Sequence, residues 1–370
     1  MNITNERIRD AAISHQVDLA HYSNSVVRRI IAALNRVDAD LIAQLTKAID
    51  KLEAEGATTL TVDRLESLLA SVRSLNTEAY NTFNMELPAE LRNLTNYEAG
   101  YQLQLFKHVI PIDLIIASVN AEQVYAAAMA RPFQGRLLTE WSRNLEEGRM
   151  VRVRDAIRMG IVENQTNSQI VSRIRGTRAQ GYTDGVLEID RRNAEAVVRT
   201  AVQHVAGTVR DRFYDANIDL IKAVVWASTL DSRTTPECQV RDGLKYSPET
   251  HKPIGHSVPW LAGPGRLHWN CRSTSVPVLK SFRDLGIPID EIAASTRASM
   301  DGQVPAETTY GEWLKQQSAA RQDEILGPTR GKLLRSGGMD FSQFFNNKGV
   351  YLDLTELQAR DAAAFVRAGV

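Results

Sequence analysis

V-V-W-A-S-T-L-D-S-R-T-T-P-E-C-Q-V-R-D-G-L-K-Y occupies residues 224–246, and G-R-L-H-W-N-C-R-S-T-S-V-P-V follows at 265–278. An apolar run, Val224 to Ala227, leads into this stretch, and a β-prone run, Ser273 to Val278, leads out. Asp242-Gly243 is a turn signal, so a hairpin joining the Cys238 segment to Leu244–Tyr246 is expected. Residues 247–266 carry seven prolines or glycines beside His251 and His256, and read as irregular. Short strands around a loop-rich connection predict a small α+β domain here.

Outward from this stretch the pattern is helical. Upstream, Asp190 caps a helix predicted over 190–216, with Ala194, Val198, Ala201, Val205 and Val209 as its buried stripe. His204 lies one step off that stripe and reads as a satisfied or boundary histidine. Further helices are expected at 167–176, ended by Gly176, at 136–160 and at 120–130. For V-I-P-I-D-L-I-I-A-S-V, residues 109–119, periodicity does not separate strand from buried helix.

The N-terminal region reads as a bundle. One helix spans 23–55, capped by Ser23 or Ser25, striped by Val27, Ile30, Leu34, Val37, Leu41, Leu45, Ala48 and Leu52, and ended by Gly56. A second opens at Thr61 or Asp63, with Leu65, Leu68, Leu69, Val72 and Leu75 inward. Pro88 interrupts it, and a third runs from Ala89 to Val109. Beyond Pro277 the chain reads as polar and helical, broken at Pro288 and Pro305. Helices are expected near Tyr310–Ala320 and before Gly327-Pro328, and the last helical segment, 353–368, reads as an exposed tail. The expected class is α+β, predominantly helical: a helical region over 1–130, an Arg-rich α+β region over 131–280, and a helical C-terminal region over 281–370.

Net charge over 370 residues is zero, which excludes a polycation built to coat nucleic acid. The average hides a shift. Residues 131–212 carry 15 Arg and no Lys against 10 Asp+Glu, about +5. Arginine suits bidentate pairing with phosphate or carboxylate, so Arg149, Arg152, Arg154, Arg158, Arg173, Arg175 and Arg178 are candidates for nucleic-acid or partner contact. The competing expectation is a solvated helical face with internal ion pairs. Two cysteines point to a reducing compartment rather than a disulfide scaffold. The opening M-N-I-T-N-E-R-I-R-D lacks the apolar core of a secretory leader, and no apolar run reaches the roughly 18 residues of a membrane span. A cytoplasmic start, with no membrane partner, is expected.

Three chemistries compete for the central stretch. Cys238, His268 and Cys271 form an S-N-S ligand set for a zinc-like ion, but only one cysteine stands on the first side. Thr235 occupies the place of its C-x-x-C partner, so a fourth ligand must be His256, His251 or Asp231. Alternatively, Cys238, His268 and Asp231 are the residue types of a thiol nucleophile, base and orienter. The third, favoured, alternative is structural. Asp231 makes an Asx turn with the following S-R-T-T, Arg233 and Arg272 bridge carboxylates or carbonyls, and the cysteines are small buried residues.

T-L-D-S-R-T-T-P-E-C-x-x-x-D-G followed by L-H-W-N-C-R-S resembles the signature of the phage Mu F-like head-morphogenesis family, also called minor head or minor capsid proteins. Asp231, Arg233, Thr234, Cys238, Asp242, Gly243, His268, Asn270, Cys271 and Arg272 carry the match. R-T-A-V-Q, Arg199 to Gln203, and V-P-A-E-T-T-Y-G-E-W-L-K, Val304 to Lys315, extend it to roughly residues 165–330. Thr235 and Ser273 stand where many members have further cysteines, which favours a fold-stabilising knot over a closed zinc site. The resemblance implies a structural, non-enzymatic virion protein of a tailed bacteriophage. It would be made in the host cytoplasm and would lie inside the head near the portal. Its implied partners are the portal, the major capsid or scaffolding protein, and packaged double-stranded DNA. The rivals are a metal- or cysteine-dependent hydrolase using Cys238 and His268, and a sequence-independent DNA-binding protein ejected with the genome.

Overall fold

The computed structural model describes residues 3–54, 62–163, 165–287, 296–299, 302–305 and 308–370. The fold is mostly helical α+β. In chain order it runs α1 (Ile3–Ala54), α2 (Val62–Val109), α3 (Ala121–Ala130), α4 (Leu138–Val162), α5 (Asn167–Arg175) and α6 (Val186–Ala216). Then come β1 (Ile221–Ala227), α7 (Pro236–Gln239), β2 (Lys245–Tyr246), β3 (Pro253–Ile254) and β4 (Thr274–Leu279). A two-stranded ribbon, β5 (Thr296–Ser299) and β6 (Gly302–Pro305), precedes α8 (Tyr310–Lys315), α9 (Ala319–Leu326), α10 (Pro328–Arg335), α11 (Leu354–Arg360) and α12 (Ala362–Ala368). Among the described residues no helix is long and apolar enough to cross a membrane.

Two compact units form, each from separated pieces of chain: residues 21–94 with 125–202, and residues 1–20 with 95–124 and 203–370. The first unit is helical. Leu41 and Leu45 of α1, Leu69 and Val72 of α2, Val153 and Ile157 of α4, and Ile170 and Ile174 of α5 share its core. In the second unit the sheet order is β3-β2-β1-β4, all antiparallel. β1 is buried at every position except Lys222 and registers Val225 against Val276 and Trp226 against Ser275 on β4. Phe106, Phe213, Trp226, Tyr246 and Trp260 fill the core on this sheet. A separate aromatic core, with Tyr310, Trp313, Phe341 and Phe344, closes α8 to α12.

Several expectations are corrected. α1 starts at Ile3, not near Ser23, which is buried inside the helix. Its first turns hide polar side chains, among them Asn5, Arg9, His15 and Gln16, so no apolar stripe marks them. Pro88 does not break α2. Phe83, Leu87, Leu91 and Leu94 are buried on both sides of it, and that continuous stripe outweighs the one lost backbone bond. Replacing Pro88 by Ala restores a helix donor and should stabilise the chain by about 1–2 kcal/mol, read as a raised thermal midpoint. Asp190 is not a cap. It sits a turn inside α6, buried and paired with Arg152.

Residues 110–120 are neither strand nor helix; Asn217 holds them by bonding both the N–H and the carbonyl of Ala117. The Asp242-Gly243 turn does not join a hairpin. Pro236 at the first helical position makes the Cys238 side a helical turn, and β2 pairs instead with β1. The region after Pro277 includes the β5–β6 ribbon. The 353–368 segment is no exposed tail: Leu357, Ala364 and Phe365 are buried in the α8–α12 core. Gly56, Thr61, Pro288 and the side chains of Ala48, Leu52, Leu65 and Leu68 lie outside the described residues.

Candidate functional site

β1 ends by delivering Ser228 into a tight turn, and the polar knot begins there. The Asp231 carboxylate accepts the Arg233 N–H at 3.0 Å, which is the Asx turn, and lies 3.1 Å from the Thr234 hydroxyl. Arg272, just before β4, grips the same carboxylate with both terminal nitrogens, at 2.5 and 2.8 Å. This fork-to-fork pair ties the turn after β1 to the entry of β4. Burial alone would raise the Asp231 pKa, but the Arg272 bonds and charge, with the Arg233 and Thr234 bonds, hold it below the ordinary carboxylate value. The Arg233 side chain is itself exposed and reaches the carboxylate only at 3.8 Å.

Asp242 makes the second tie. One carboxylate oxygen accepts the Ser228 N–H at 2.7 Å and the other the Tyr310 N–H at 3.0 Å. It therefore fastens the end of β1 to the start of α8. Tyr310 returns the bond by donating its hydroxyl to the Asp231 carbonyl at 2.9 Å, and Gln239 bridges the Thr234 carbonyl and the Tyr310 hydroxyl. Gly243 has φ +79°, a conformation that favours glycine, and its N–H bonds the Trp226 carbonyl at 2.9 Å. Asn270 takes the left-handed region at φ +57°, which lets Cys271 N–H close back on the His268 carbonyl.

Cys238, on α7, and Cys271, before β4, are buried with their sulfurs 3.6 Å apart. His268 Nε2 lies 3.2 Å from Cys238 Sγ and 2.9 Å from Thr235 Oγ1, and its Nδ1 lies 2.9 Å from the Trp269 carbonyl. That carbonyl only accepts, so Nδ1 carries a proton and Nε2 is the nitrogen turned toward the sulfurs. The Cys238 hydrogen bond and the neighbouring His268 hold the Cys271 thiol well below its usual range despite burial. Cys238 moves up, through its bond to Cys271 and through burial. His268 moves up against its own desolvation, because Cys271 faces it.

The fourth-ligand candidates lie elsewhere. His256 bonds the Lys245 carbonyl, His251 stacks on Trp260, and Asp231 is committed to Arg272. A triad of Cys238, His268 and Asp231 is not assembled either, since Nδ1 of His268 is oriented by Trp269 and not by Asp231.

Arg149, Arg152 and Arg173 pair with Asp38, Asp190 and Glu163, and Arg154 with Asp155. Arg149 is sealed from solvent. Arg175 lies over the Tyr182 ring, while Arg158 and Arg178 are exposed. Tyr310, Gln239 and Ser228 belong to the knot yet carried no weight in the sequence reading. One signal for Tyr310 was present: T-Y-G-E is a capping box, formed by Thr309 and Glu312, and it marks a helix start in need of an acceptor.

No curated protein and no solved structure matches the chain. Residues 151–276, which run from within α4 to β4 and contain the Asp231–Arg272 pair, Asp242 and the Cys-His-Cys cluster, match the family described as Phage Mu protein F like protein, so this part of the chain is similar to phage Mu F-like proteins.

Proposed function

We propose that this chain is a minor head protein of a tailed bacteriophage, acting in procapsid assembly at or near the portal and retained in the virion. The supporting observation is the coincidence of the phage Mu F-like match with a segment whose polar side chains are spent on holding backbone together. Asp231, Arg272 and Asp242 bond each other or main chain, and the two thiols are sealed from solvent. That is the arrangement of a rigid scaffold element rather than of an open reaction centre, and it favours a non-enzymatic role. The match fits a phage head-morphogenesis protein whose partners are other head components.

Localisation tests the proposal. Tagged protein in purified heads, imaged without imposed symmetry, should appear at the portal vertex in few copies. Density spread over the capsid lattice, or absence from heads and procapsids alike, would sink it.

Contact with packaged DNA rests on fewer charges than composition implied, because most of the named arginines already hold carboxylates. With Arg158 and Arg178 as the free phosphate-binding candidates among them, binding to duplex DNA should show a log K against log salt slope of about −2. A slope steeper than about −5 would mean a larger basic surface than these residues supply.

A further inference from the structure

Among the described residues, Cys238, His268 and Cys271 are the group whose ligand atoms converge, all within 4.8 Å of one another. Their spacing carries the argument. Zinc bonds of about 2.3 Å to sulfur and about 2.0–2.1 Å to nitrogen, in a tetrahedron, set ligand separations of about 3.8 Å between sulfurs and about 3.5 Å from sulfur to nitrogen. The chain places the two sulfurs 3.6 Å apart and Cys238 Sγ 3.2 Å from His268 Nε2. The histidine is also prepared as a ligand. Its Nδ1 bonds the Trp269 carbonyl, the outer contact that fixes a metal-binding tautomer and aims Nε2. Thr235, three residues before Cys238 where a C-x-x-C partner would stand, places its Oγ1 2.9 Å from the same Nε2.

We infer that Cys238, Cys271 and His268 form a three-ligand S-N-S site for a zinc-class divalent ion, with Thr235 beside the fourth coordination position. The ion binds two thiolates and a neutral imidazole, so the two thiol protons pass to solvent and the site loses most of its charge imbalance. Bound there, it links α7 to the turn before β4, in parallel with the Asp231–Arg272 pair. A fourth ligand that is a hydroxyl or solvent, rather than a third thiolate, makes this a weaker site than a closed four-ligand one. That sets a direction for the test: Thr235→Cys should tighten it.

The experiment uses the full chain purified under reducing conditions, so its outcome is independent of where the protein sits in a phage head. Metal analysis should find about one zinc-class ion per chain, released stoichiometrically when a mercurial blocks the thiols. Cobalt(II) added to the stripped protein should give sulfur-to-metal charge-transfer absorption, diminished in Cys271→Ser. In competition with a chromophoric chelator, Thr235→Cys should hold zinc at least about 10-fold more tightly than the parent chain. Cobalt titration of the parent chain stands even where a cysteine variant fails to fold. The inference is overturned if stripped parent protein gives no charge-transfer band and takes up no zinc, with its thiols reduced or joined in a disulfide. It is equally overturned if Thr235→Cys folds and binds zinc no better than the parent.

Discussion

Asp242→Ala should destabilise the unit that holds the sheet by about 3–5 kcal/mol, the largest loss expected for any single polar truncation in the knot. Asp242 is 5% exposed, and its two oxygens accept two main-chain N–H groups from opposite ends of the motif, Ser228 and Tyr310. A hydrogen bond to a charged acceptor contributes about 1.5–3 kcal/mol, and each donor left buried without a partner adds to the cost. The second donor begins α8, so the damage should not stay local. Without the carboxylate, the α8–α12 core loses one of its anchors to the β1 end, and hydrogen exchange there should rise more than in α4 or α5. Asp242→Asn keeps one oxygen and should recover part of the loss. Urea unfolding followed by tryptophan fluorescence checks the energy. A cost under about 1 kcal/mol for Asp242→Ala, with α8–α12 exchange unchanged, would mean that the carboxylate is not the tie described here.

The elements around this anchor were legible where burial follows an apolar period. β1, β4, α5 and α6 each carry such a pattern, and their extents agree with it to within a few residues. The Asx turn of Asp231 was legible because it is local, whereas its pairing with Arg272 spans 41 residues and was one choice among several. What escaped was polar burial satisfied over long distances. Asn5 accepts the Leu279 N–H, His15 meets Glu98, and Gln16 meets Gln203. Each partner that makes burial of those side chains tolerable is more than eighty residues away, so α1 lost its first five turns in the reading.

The ion pairs of the arginine segment were hidden for the same reason. Asp38 accepts both Arg149 and Arg191 from over a hundred residues upstream, which no window average sees. In the candidate site, both cysteines and the histidine stood out by type. Thr235 was noticed only as a missing cysteine, although the fold sets it against His268.

Asp231→Asn should cost about 2–3 kcal/mol at neutral pH, and that cost should shrink as the solution is acidified. The neutral-pH loss comes from Arg272, which keeps its charge but loses an anionic fork. It is discounted because the Arg272 side chain is 26% exposed and solvent recovers part of the interaction. The pH dependence follows from Asp231 itself, whose pKa is lower in the folded chain than in the unfolded one. Between those two values the unfolded state binds the proton and the folded state does not, so stability falls as pH falls. The Asp231 contribution is therefore complete above the ordinary carboxylate range and is lost as pH drops through that range to the folded value. Asparagine has no such proton to take up. The other acids are common to parent and variant, so the difference between their urea midpoints reads the change made at this one group. That difference should be full at pH 7 and should close progressively in the acid range, while Arg272 stays charged throughout. A gap that remains constant down to the acid limit would show that Asp231 acts by shape and hydrogen-bond geometry alone, and that its charge contributes nothing to the knot.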